Sequence, residues 1–90
     1  MCTNVNVNTR IDGSAKGPQG WLRVDTARVG YDHPFHAPFD HALTIDFVNE
    51  RAGGSGRVAV ELSAESARAL MASIERALRD GQREAGETPE

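Results

Sequence analysis

"RVAVELSAESARALMASIERAL", residues 57–78, decides the fold, because its hydrophobic period changes once and at a marked place. Over 57–62 the residues alternate, with Val58, Val60 and Leu62 on one side, which is the two-residue period of a half-buried strand. Ser63 is a good N-cap, and Glu65 suits the positive end of a helix. Beyond it Ala67, Leu70, Met71, Ile74, Ala77 and Leu78 follow the spacing of an amphipathic helix. Arg68, Glu75, Arg76 and Arg79 take its solvent side. Gly81 is the expected stop, and 82–90 is expected to be a flexible polar tail.

Upstream of this junction the period is two throughout. "ALTIDFVN" (42–49) puts Leu43, Ile45 and Phe47 on one face, and the glycine-rich "ERAGGSG" (50–56) joins it to 57–62 as an antiparallel hairpin. "VNVNTRI" (5–11) alternates strictly. "WLRVDTARVGY" (21–31) is β-biased but changes parity, which a bulge or register change near Asp25–Ala27 would reconcile. "DGSAKGPQG" (12–20) reads as a loop. The expectation is an α+β domain over 1–81, a four-stranded, mostly antiparallel sheet in the order β-β-β-β-α, with the C-terminal helix packed on one face.

Composition limits the function classes. At 90 residues with a net charge of -3, nothing draws the chain generally toward nucleic acid or anionic membrane. No apolar run is long enough to cross a bilayer and no leader pattern opens the chain, so a cytoplasmic protein is expected. A single core of this size is marginal, so a homodimer is expected. "GGSG" joins two strands and lacks a following Lys-Ser/Thr, unlike a phosphate-binding loop. Cys2 is the only cysteine, so no intrachain disulfide forms. Trimming of Met1 would place its amine and thiol side by side, a pair able to chelate a metal.

All three histidines fall in "YDHPFHAPFDH" (31–41), as His33, His36 and His41. Neutral imidazole is the commonest metal ligand, and three of them leave an open coordination position. Pro34 and Pro38 hold the link extended, which would aim His33 and His36 along one edge with Phe39 as apolar cover. Strand parity places His41 on the inner face with Leu43. Asp32 and Asp40 would orient the imidazoles or ligate directly. Tyr31 would supply a phenol for acid/base work.

The opening "MCT", the "GWLRV" strand, the "YDHPFHAPFDHALTIDF" block and the "RVAVELSAESARAL" junction resemble a small actinobacterial family of unknown function. The likeness covers most of 1–79, and no activity comes with it. The functional expectation is a small transition-metal protein, leaning to a metalloenzyme of unknown reaction on a small molecule. His33, His36 and His41 would hold the ion, with Cys2 or a carboxylate as fourth ligand. Zinc is the default, and copper, iron and nickel fit the same donors. Two alternatives stand beside it: a non-catalytic dimeric interaction module without metal, and metal-free histidine acid/base catalysis.

Overall fold

Alternating β-formers punctuated by Gly and Pro give four strands, and the switch at Ser63 gives one long helix. The structure, a computed structural model, describes residues 5–53 and 56–87. Strands β1 (Val5–Gly17), β2 (Gly20–Asp32), β3 (Ala42–Val48) and β4 (Arg57–Leu62) form one antiparallel sheet in the order β1-β2-β3-β4. Helix α1 (Ala64–Ala85) follows, and a short 3-10 turn (Glu50–Ala52) lies between β3 and β4. This is the expected α+β arrangement. No helix among the described residues is long and apolar enough to cross a membrane.

The first hairpin is longer than its glycines implied. Residues 12–17 continue β1, and only Pro18 and Gln19 turn, because Gly17 already pairs with Gly20. Pro18 pre-sets the turn's first φ, and Gly20 takes a φ of 112° that only glycine adopts without strain. The parity change in β2 is absorbed where expected along the sheet, but by the partner strand. The register shifts between Arg10 and Gly13 of β1, across from the stretch that follows Val24.

Register sorts the side chains onto two faces. Val29 lies between Val7 and Ile45, Tyr31 between Val5 and Leu43, and Leu43 pairs onward with Leu62. That face is apolar and looks toward α1. The other carries Asn6, Asn8, Arg28, Thr44, Asp46 and Glu61, as the pleat requires.

Helix α1 starts as read. Ser63 Oγ accepts the Ser66 backbone N–H at 3.1 Å. It ends later than Gly81, at a C-cap on Gly86 with φ 72°. Gly81 weakens a helix without ending it. Here the Asp80–Arg83 ion pair bridges the position, and Gln82–Ala85 are good helix formers. The first part of the expected tail is therefore helix.

Among the described residues the buried hydrophobic ones are all small: Val24, Ala27, Ala42 and Val48. No Leu, Ile, Phe or Met of the described residues is buried. Helix α1 has no buried residue at all, although its apolar row is well formed. The helix meets the sheet sparsely, at β3 and β4. Between them runs an apolar groove of about 630 Å³, with Val29, Tyr31, Leu43 and Ile45 on its sheet side and Met71 and Ile74 on its helix side.

Candidate functional site

Two features distinguish this fold: the loop over 33–41 and the groove under α1. Tyr31 at the end of β2 borders both.

The loop is held on the polar face by Glu61 of β4. Its carboxylate accepts three successive backbone N–H groups, from Phe35 (2.5 Å), His36 (3.0 Å) and Ala37 (2.8 Å). These donors, the Ala37 N–H foremost, hold the Glu61 carboxyl below its ordinary pKa against the opposing effect of burial. Prolines remove N–H groups at 34 and 38, so the run of donors between them is the loop's own recognition element. Asp32 Oδ1 accepts the His33 N–H at 2.7 Å. With its backbone so fixed, the loop presents Phe35 98% exposed, with His36 exposed beside it.

The imidazoles are arranged by stacking. His41 lies between Tyr31 and His33, with ring centroids 5.7 and 4.8 Å away and interplanar angles of 13° and 26°. As parity implied, His41 is turned inward. Its Nε2 is shielded from solvent and has no hydrogen-bond partner among the described residues. His33 Nδ1 donates to the Asp40 carbonyl oxygen at 2.8 Å, which in the neutral ring leaves the lone pair on Nε2. That orienting role belongs to the Asp40 main chain, and the Asp32 carboxylate serves a backbone N–H.

The structure thus pairs His33 with His41 and turns the His36 backbone to Glu61. Stacked rings hold their in-plane lone pairs in separate, offset planes, so the pair as stacked does not face one ion. Among the described residues no group of three or more His, Cys, Asp or Glu side chains is placed to hold an ion. Cys2 lies outside the described residues.

A second polar cluster, unforeseen in the sequence, anchors the β3–β4 connection. Asp25, 3% exposed, accepts the Glu50 N–H at 2.9 Å and the Arg51 N–H at 3.3 Å. The Thr26 hydroxyl shares its one proton between Glu50 Oε1 (2.8 Å) and Asp25 Oδ1 (3.0 Å), and Arg28 pairs with Glu50 at 2.9 Å. The Glu50 N–H is the main reason that Asp25 titrates below its ordinary value. Glu50 is lowered chiefly by Thr26, then by Arg28. An Asp and a Thr at adjacent positions of a strand whose parity changes were the only signal for this cluster. Glu61 carried less: one carboxylate at a strand position facing away from the core.

Comparison with known proteins finds one family, described as a family of unknown function (DUF6295), matching residues 1–87. No curated protein and no solved structure matches the chain. With the match spanning nearly all of its length, from the first strand through α1, the chain belongs to the DUF6295 family.

Proposed function

We propose that this chain acts as a homodimeric, non-catalytic interaction module, in which paired copies display the 33–41 loop to a partner. One observation carries the reading. Helix α1 buries none of its residues while Leu70, Met71, Ile74 and Leu78 stand 42–64% exposed in a single row. Covering the half of each such side chain that stands open is worth roughly 1 kcal/mol, and a small domain with no large side chain buried among its described residues cannot forgo that gain. The loop supports the binding role. Its carboxylate anchor and His33 Nδ1 are engaged in holding backbone, and the result is an exposed Phe35, an aromatic of the kind enriched at binding interfaces. Sedimentation equilibrium over a wide dilution series tests the reading. A dimer mass is expected throughout, and a stably folded monomer at every concentration overturns it.

A second reading keeps the metal. A transition ion, zinc first and copper, iron or nickel after it, would sit at the imidazole pair and act on a small-molecule substrate. It is supported by the His33 Nδ1 bond, which in the neutral ring leaves a lone pair on Nε2, and by the stacked neighbour His41, whose shielded Nε2 has no hydrogen-bond partner among the described residues. Both rings would have to leave their stack to face one ion, with His36, Asp32, Asp40 or Cys2 completing the set. Metal analysis of untagged protein beside His33→Ala and His41→Ala tests it. Unchanged metal content in both variants removes it.

A further inference from the structure

We infer that the dimer forms by reciprocal helix exchange: the C-terminal half of each α1 lies in the groove of the other copy, against Val29, Tyr31, Leu43 and Ile45. This deepens the homodimer reading above and rests on it.

Each copy carries both halves of such a contact. The groove of about 630 Å³ is an apolar recess that its own helix borders without filling. The apolar row of that helix outruns the recess: Met71 and Ile74 line it, while Leu78, one turn on, does not and is 55% exposed. Placement, not length, explains the overrun: the row from Ala67 to Leu78 spans about 17 Å, less than the roughly 24 Å of β3, yet α1 meets β3 and β4 only sparsely.

Residues 1–4 and 87–90 carry one large apolar side chain, Met1. A second copy offers Ile74 and Leu78 at helical spacing, and a two-fold axis makes the exchange reciprocal, so both grooves fill at once.

The area agrees with this occupant. The chain exposes 7080 Å², against about 5,100 Å² for a compact monomer of its mass. The excess of roughly 2,000 Å² exceeds the ~1,000 Å² per partner that the smaller obligate homodimers bury. The radius of gyration of 14.9 Å exceeds the roughly 12 Å of a compact 90-residue domain in the same sense.

Mixed dimers of methyl-labelled and unlabelled full-length chains test the inference by isotope-filtered nuclear Overhauser spectroscopy. Contacts between copies are expected from the Ile74 and Leu78 methyls to those of Val29, Leu43 and Ile45. Leu78→Glu is expected to keep the fold, because Leu78 lies outside its own groove, and to weaken association on the order of a hundredfold or more. A dimer whose inter-copy contacts are confined to the β1 edge at Val5 and Val7, or to the 33–41 loop, overturns helix exchange and leaves the homodimer reading standing. A monomer that binds only a foreign protein overturns both.

Discussion

The Glu61 carboxylate on β4 accepts the Ala37 backbone N–H at 2.8 Å across a sequence separation of 24 residues. Two neighbouring N–H groups join it, so one acidic side chain replaces the missing secondary structure of the loop.

Replacing Glu61 by Gln therefore loosens the loop without touching the sheet core. A neutral amide lacks the second acceptor oxygen and the charge that strengthens these bonds. Amide hydrogen exchange at Phe35, His36 and Ala37 is expected to rise about tenfold or more, while amides of the β2–β3 ladder keep their protection. Unchanged loop protection would show that the prolines alone hold the conformation.

Stability should fall on the acid side. Asp25, Glu50 and Glu61 all titrate below their ordinary values of 3.8, 4.5 and 4.5 when folded. A depressed folded pKa means that the unfolded chain takes up protons first. The stabilisation is therefore complete above about pH 5 and is lost as pH falls through the folded values. Thermal midpoints across this range should show the loss, and Asp25→Asn should flatten the acid limb.

At Gly30 an added methyl has no room. A Cβ there would lie 3.0 Å from the Val5 carbonyl oxygen, 3.1 Å from Asn6 Oδ1 and 3.2 Å from Thr44 Oγ1. The nearest of these is backbone and cannot rotate away, so Gly30→Ala is expected to cost about 1–3 kcal/mol by denaturant unfolding. A neutral result would mean that β1 shifts freely at its edge.

Gly81 offers the opposite case. A Cβ there meets nothing within 4 Å, and the backbone is helical. Gly81→Ala should stabilise the protein by roughly 0.5–1 kcal/mol by lowering backbone freedom in the unfolded chain. The same unfolding measurement decides it.

Local chemistry was enough for most of the fold. Alternation placed Val5–Ile11, Leu43–Phe47 and Val58–Leu62 on strands, and Ser63 marked the helix start, because these depend on neighbours two to four residues apart. Glycine misleads at Gly81 and over 12–17, where it reads as a stop and the element continues. In both, flanking pairs carry the element through: the Asp80–Arg83 ion pair across Gly81 and ladder bonds to β2. Of the site, His41's inward side was legible from parity, whereas the Tyr31–His41–His33 stack was not.

By itself the sequence determined the order of elements, the apolar side of each and the clustering of histidines between two prolines, all properties of short-range period and composition. Tertiary structure alone decided three things. Glu61 and Asp25 became anchors because strands remote in sequence brought carboxylates under loops with unpaired N–H groups. His33 met His41 instead of His36 because the loop folds back across the end of β2. And the apolar row of α1 stayed uncovered because the helix meets β3 and β4 only sparsely, a placement that no local pattern encodes.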